Sequence, residues 1–340
     1  MICKDTLAQQ YLMECIINAF PDEFHLQTLE QLLETTASLN TEVDIKNIFI
    51  NLMDKLAKFA AGSEGETAGA KVNIFKLFKK YTDKIIEEQG KTLDVSRLLE
   101  LEVAFMNFSI ETYPGNLDYV NQILESCNSI LKSTPINNSD KSCMKLMVRL
   151  LSIPLDSLSI AVLAMPHYLL LMQYMKFANK RTVAIKIVKS IIKDNKVLSS
   201  PTTIDQLIEF IMPLLQDDKD AAKEDSYEFE DGQNSVAKLV HLISSPNSDM
   251  WHALLSKLKK VFLKGGKDRQ RFTLPALVFA LLKLSAYLES VGEGPQVTPE
   301  SEEDQIQVVK VDQGKIFKAV NELILALQEH QPETALKLYL

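Results

Sequence analysis

Residues able to do chemistry are few here, and they are scattered. The chain has 5 His and 4 Cys in 340 residues. His25, His167, His241, His252 and His330 form no HExxH pair, and no two His or Cys fall at zinc-ligand spacing. His241 and His252 flank a Ser-Ser-Pro break and would meet only across a helix hairpin. Cys3, Cys15, Cys127 and Cys143 make no CxxC pair. Free Cys on a helical stretch behaves as a small buried hydrophobe, so this usage suits a reducing compartment. Gly265-Gly266-Lys267 hints at a phosphate loop, but Asp268 stands where Ser or Thr is required and no strand precedes it. Gly62, Gly65 and Gly69 have the wrong spacing for a dinucleotide fingerprint, and no GxSxG elbow occurs. The expectation is a protein that is not an enzyme and holds no metal or cofactor.

Two runs point instead to contact with other proteins. In Phe20-Pro21-Asp22-Glu23, a helix ending near Ala19 is stopped by Pro21. Asp22 or Glu23 then places negative charge at the start of the next helix, where the dipole favours it. Phe20 and Phe24 can close over this hinge. A tight inter-helix corner accounts for these residue types, yet loops at the edge of a helical array are also its usual contact points. Phe20, Asp22, Glu23 and His25 are therefore candidate partner-interface residues. In Arg271-Phe272-Thr273-Leu274-Pro275, Thr273 reads as an N-cap with Pro275 in the first turn. Leu274, Leu277, Val278, Leu281 and Leu282 follow as an apolar face. Arg271 would stitch adjacent repeats by pairing with an acid, or face a partner; Arg271 and Phe272 complete the candidate set.

The elements that must hold these runs are helices. Ile45, Ile48, Leu52, Leu56 and Phe59 recur at helical spacing, as do Leu98, Leu101, Phe105 and Phe108, and Val236, Leu239, Val240 and Ile243. Strict alternation is rare; Gln307 to Val311 is the best strand candidate, and it is short. Loops at Gly62 to Thr67, Pro114-Gly115-Asn116, Thr134 to Ser139, Ser199-Ser200-Pro201 and Ser244 to Asn247 supply stops and caps. The pattern gives about sixteen helices and a helix-pair length of about 40 residues, the HEAT/armadillo range. The expected fold is all-α: an α-solenoid of HEAT/armadillo-like hairpins. A single compact bundle of that many helices would bury several on all faces, whereas most here keep a polar side.

Two acidic stretches divide the chain. Gln216 to Asp231 holds Asp217, Asp218, Asp220, Glu224, Asp225, Glu228, Glu230 and Asp231, and Glu289 to Asp304 mixes acids with Gly and Pro. The expected organisation is a central solenoid over 1–215, an acidic linker over 216–234, and the start of a further solenoid half over 235–340, with a flexible insert at about 289–310.

Hydrophobic residues make up 46% and charged residues 24%, enough for a sizeable core. The net charge of −8 gives no global basic field for nucleic acid. Lys257, Lys259, Lys260, Lys264, Lys267, Arg269 and Arg271 form a local basic stretch, read as a solvated face. The N-terminus lacks a signal-peptide pattern. Leu155 to Met175 reads as two buried helices broken at Met165-Pro166, so any membrane association is expected to be peripheral. The apolar end Leu336-Lys337-Leu338-Tyr339-Leu340 suggests a segment of a longer protein, or an end covered by a partner.

As strings, the runs are specific. Asp5-Thr6-Leu7-Ala8-Gln9, Tyr11 through Ile17 and Phe20 through Leu29, together with Arg271 through Phe279, resemble the vacuolar protein sorting-associated protein 35 family. Lys145 to Asp156 and Tyr119-Val120 match more loosely. That family is the large α-solenoid scaffold of retromer. The resemblance implies a non-enzymatic scaffold that organises cargo recognition for transport from endosomes to the Golgi and the plasma membrane. It implies a cytoplasmic protein, peripheral on the endosome membrane, working with sorting nexins, a late-endosomal Rab GTPase and cargo tails. A small phosphoesterase-fold subunit would bind the C-terminal part, with Ser235 to Leu288 contributing to or supporting that surface. The family's PRLYL motif, which engages an arrestin-fold subunit, is absent here, so that contact is carried onto no residue of this chain. The alternative is another helical-repeat transport adaptor of adaptin type.

Overall fold

The computed structural model describes residues 5–39, 43–60, 73–89, 94–134, 140–216, 226–291 and 310–339. Among these there is no strand; one isolated parallel bridge joins Leu198 and Ile243. Of the strand candidate, Lys310 and Val311 are irregular, and the rest lies outside the described residues. The fold is all-α, in solenoid-like helical hairpins. The chain divides into two compact units, Met1–Lys176 and Phe177–Leu340.

The first unit contains α1 (Thr6–Ala19), α2 (Asp22–Gln27), α3 (Leu29–Ala37), α4 (Ile45–Ala60), α5 (Ile74–Gln89), α6 (Val95–Thr112), α7 (Leu117–Ser133), α8 (Lys141–Ser152), α9 (Leu155–Leu158) and α10 (Pro166–Gln173). Asp5 caps α1 by accepting from the Ala8 N–H at 2.8 Å. Asn116 and Asp140 cap α7 and α8 in the same way. Helices α4, α6 and α8 pack in succession, and so do α3, α5 and α7. Each helix from α3 to α8 thus meets a helix two places away, which is how a two-layer array buries a continuous core. Aromatic rings fill the middle: Phe75 stacks on Phe105 at 4.9 Å, and Phe78 meets Phe108 edge-on at 5.0 Å. The break at Met165-Pro166 is present, with Pro166 opening α10. The stretch before it is not one helix, however. Ser159 takes a φ of 45° and the chain tightens into a 3₁₀ turn over Ser159–Ala164.

The second unit contains α11 (Phe177–Asp194), α12 (Pro201–Leu215), α13 (Ser226–Val240), α14 (Ser248–Lys264), α15 (Lys267–Val291), α16 (Gln313–Gln328) and α17 (Pro332–Tyr339). Here α11, α13 and α15 pack in succession, and α14 packs on α12 and α15. The segment read as a linker over 216–234 is helical from Ser226 onward, because Val236, Leu239 and Val240 are buried and draw the acidic turns before them into α13. Residues 217–225 and 292–309 lie outside the described residues. The sequence-based boundary after residue 215 falls inside this unit.

The Thr273 cap does not exist. Helix α15 already starts at Lys267, after Gly266 at φ +83°, and Pro275 lies inside it. Gly265 passes so close to α12 that a Cβ there would sit 2.9 Å from the Leu215 carbonyl. The Thr273 hydroxyl donates back to the Arg269 carbonyl at 3.1 Å, a mid-helix use of the side chain. Burial of Leu274, Leu277, Val278, Leu281 and Leu284 holds the helix through its proline.

Segments Lys141–Ala164 and Lys267–Ser290 are long and apolar enough to cross a membrane by length and composition alone. The first is interrupted by the Pro154 and Ser159 breaks. Of their apolar stretches, 44% and 50% are buried, and a central helix of a packed array has the same composition.

Candidate partner surfaces

Among the described residues no three His, Cys, Asp or Glu groups converge to hold a metal. Burial pushes His241 and His252 down from the usual histidine range, aided by Lys283 and Lys315 respectively. Half of the basic stretch before Arg271 is used within the fold, and Lys260, Lys264 and Lys267 are exposed. Lys257 pairs with Asp205 at 2.7 Å, Lys259 pairs with Glu322, and Arg269 is buried.

The α1–α2 corner forms as its residues dictate. Pro21 precedes α2, and Asp22 and Glu23 occupy its first turn. Phe20 stacks on Phe24 with centroids 4.7 Å apart. Lys55 of α4 fastens the corner. Its ammonium donates to the Ile17 carbonyl at 2.5 Å and the Phe20 carbonyl at 3.1 Å, and lies 3.3 Å from the Asp22 carboxylate. A cation thus covers the open C-terminus of α1 and faces the acid at the start of α2. Phe20 and Phe24 remain 42% and 41% exposed. His25 does not belong with them: it is fully buried, and its Nε2 lies 3.0 Å from the Ile17 carbonyl, which only an N–H donor can satisfy. It is a corner residue and leaves the contact set. Beside the corner an open cleft of about 500 Å³ is lined by Glu14, Asn18, Asp22, Asn51, Asp54 and Lys58, among others.

Arg271 stitches rather than dangles. It donates to the Glu230 carboxylate of α13 at 3.0 Å, and its guanidinium lies 4.6 Å from the Phe272 ring centre. Phe272 in turn meets Phe229 edge-on at 6.4 Å. The other long-range ion pairs follow the same rule. Lys189 to Asp231 joins α11 to α13, Lys46 to Glu100 joins α4 to α6, and Lys80 to Glu30 joins α5 to α3. Each spans helices two apart, along the stacking direction.

Sequence reading missed the outer face of α15. Phe272, Pro275, Phe279, Leu282 and Ala286 fall on one side of the helix, opposite buried Leu274, Leu277 and Leu281. Phe279 is 55% exposed and Leu282 is exposed too, although the sequence placed it with the core. The available signal was that α15 is apolar on both faces, which in a single array leaves one face without a neighbour.

The family described as Vacuolar protein sorting-associated protein 35 matches residues 1–340. Vacuolar protein sorting-associated protein 35B of Arabidopsis thaliana is 35% identical over 99% of this chain and 42% of its own length. The Dictyostelium discoideum relative is 33% identical over 99% of this chain and 43% of its own, and the one from Schizosaccharomyces pombe is 23% identical over 81% and 37%. The chain thus spans about two-fifths of the length of the curated relatives it matches. With the match running through both units and both anchor runs, this chain belongs to the Vacuolar protein sorting-associated protein 35 family.

Proposed function

We propose that this chain is part of the large scaffold subunit of retromer and works without catalysis. The observation that carries this is the family match over the whole length. Its mechanism is geometric: stacked hairpins, tied by ion pairs two helices apart, fix the spacing between the proteins that dock on them. The proposed setting is the cytoplasmic face of endosomes, reached peripherally, in transport to the Golgi and the plasma membrane. Sorting nexins, a late-endosomal Rab GTPase and cargo tails are the proposed co-workers.

The small phosphoesterase-fold subunit is assigned to the second unit. The outer stripe of α15 from Phe272 to Ala286, with Arg271 at its edge, supports this, because apolar anchors rimmed by a paired charge suit a protein contact. Calorimetric titration of the chain with that subunit tests the reading. Binding at micromolar strength or tighter is expected, weakened at least tenfold by Phe279→Ser with Leu282→Ser. Absence of binding by the folded wild-type chain would remove the assignment.

A further inference from the structure

The α1–α2 corner carries a second, separate contact chemistry. Residues 5–39 hold six acidic side chains, Asp5, Glu14, Asp22, Glu23, Glu30 and Glu34, and no Lys or Arg. Three of the acids serve the fold: Asp5 caps α1, Asp22 faces Lys55 and Glu30 pairs with Lys80. Glu23 is exposed directly beside the Phe20–Phe24 stack. Glu14 and Asp54 line the adjoining cleft, whose volume of about 500 Å³ is ample for a long side chain. Two lysines also line the cleft: Lys55 is already engaged by two carbonyls and faces Asp22, and with Lys58 counted the three acids Glu14, Asp22 and Asp54 remain in excess. The corner therefore offers an exposed aromatic platform and acids on one small surface.

We propose that the α1–α2 corner docks a basic segment of a partner protein. A bulky apolar side chain sits on the Phe20–Phe24 stack, and a Lys or Arg enters the cleft beside Glu14, Asn18 and Asp54. Charge decides the class of occupant. Phosphates, whether of an anionic membrane or of a nucleic acid, are repelled by a surface of this sign, whereas a cationic peptide is attracted and steered to it. The aromatic pair supplies the apolar anchor that such contacts usually centre on. This surface lies in the first unit and does not depend on the α15 assignment; loss of either leaves the other standing.

The probe is a random library of 12-residue peptides selected on the 340-residue chain, with affinities of the selected peptides then measured by fluorescence polarisation. The selected pool is expected to be rich in Lys or Arg next to Phe, Leu or Trp. Binding should weaken at least tenfold in Phe20→Ser with Phe24→Ser. It should weaken several-fold in Glu14→Lys with Asp54→Lys, a surface change that keeps the test valid if the aromatic variant does not fold. A neutral or acidic pool, an empty pool, or affinities unchanged in both variants would overturn the proposal. Two further results would also do so. Pelleting with phosphatidylserine vesicles would make the corner a lipid contact, and sedimentation of a dimer dispersed by the aromatic variant would make a second copy its occupant.

Discussion

Two buried ionisable side chains, one from each unit, meet opposite fates. Arg269 in the second unit is buried, yet its Nε donates to the Leu214 carbonyl at 2.9 Å and an Nη to the Gly265 carbonyl at 3.3 Å. The Phe229 ring lies 5.3 Å from its guanidinium carbon. Glu102 in the first unit is 1% exposed, and neither carboxyl oxygen has a hydrogen-bond partner among the described residues. Desolvation pushes its carboxyl up to about 8; Lys79 pulls it down and Asp83 opposes that pull. Helical arrays explain the difference. The last carbonyls of every helix lack helical donors and are waiting acceptors, and Arg269 sits where α12 and α14 end. Glu102 lies mid-way along α6, where neighbouring N–H groups are spent on their own helices. A buried cation at a helix end is solvated by the fold; a buried acid between helix middles is neutralised instead.

The largest effect is expected at Glu102. Its pKa is raised in the folded chain, so the folded state holds the proton more tightly than the unfolded one. Below the usual glutamate value of 4.5 the residue contributes no pH dependence. Between 4.5 and about 8 stability falls as pH rises, by about 1.4 kcal/mol per unit, and above that it levels. Glu102→Gln removes this slope and should stabilise the chain by about 3 kcal/mol at neutral pH. Urea unfolding of both proteins from pH 4 to 9 checks it, and parallel curves would show that Glu102 finds a donor. Arg269→Met comes next and has the opposite sign. It strips charged donors from two buried carbonyls and should cost about 2–3 kcal/mol, with no pH dependence across the same range.

The two anchor runs show what could be read from the sequence. The corner was legible because every determinant is local: Pro21 stops α1, Asp22 and Glu23 start α2, and Phe20 reaches Phe24 four residues on. The depth of His25 was not, since it depends on the Ile17 carbonyl of the preceding helix. Around Arg271 the local signals misled. Thr273 and Pro275 have the chemistry of a helix start, but the stack buries residues on both sides of them and carries the helix through. Glu102 gave no signal at all, because one acid in an apolar heptad reads like any solvated position until its neighbours are known.

The proline in α15 sharpens the point. If helix α15 began at Thr273, replacing Pro275 with Ala would be neutral or slightly destabilising, since Pro suits a first turn. With the helix starting at Lys267, Pro275 deprives the Arg271 carbonyl of its helical donor. Pro275→Ala should then stabilise by about 1–2 kcal/mol, read as a rise in the denaturation midpoint with an unchanged slope.

The smallest effect separates a stitch from a buried anchor. Arg271 and Arg269 are two residues apart and both carry guanidinium, but the side chains of Arg271 and its partner Glu230 are both open to water. An ion pair in contact with water gains little, because solvent screens it and two long side chains must be held still. Arg271→Ala should therefore cost no more than about 1 kcal/mol, and the cost should shrink as salt is raised, since ions screen exposed pairs. The cost of Arg269→Met should persist in the same salt series, because its acceptors are neutral carbonyls away from solvent. If Arg271→Ala proved as costly as Arg269→Met and equally insensitive to salt, the contact with Glu230 would be an anchor of the α13–α15 interface.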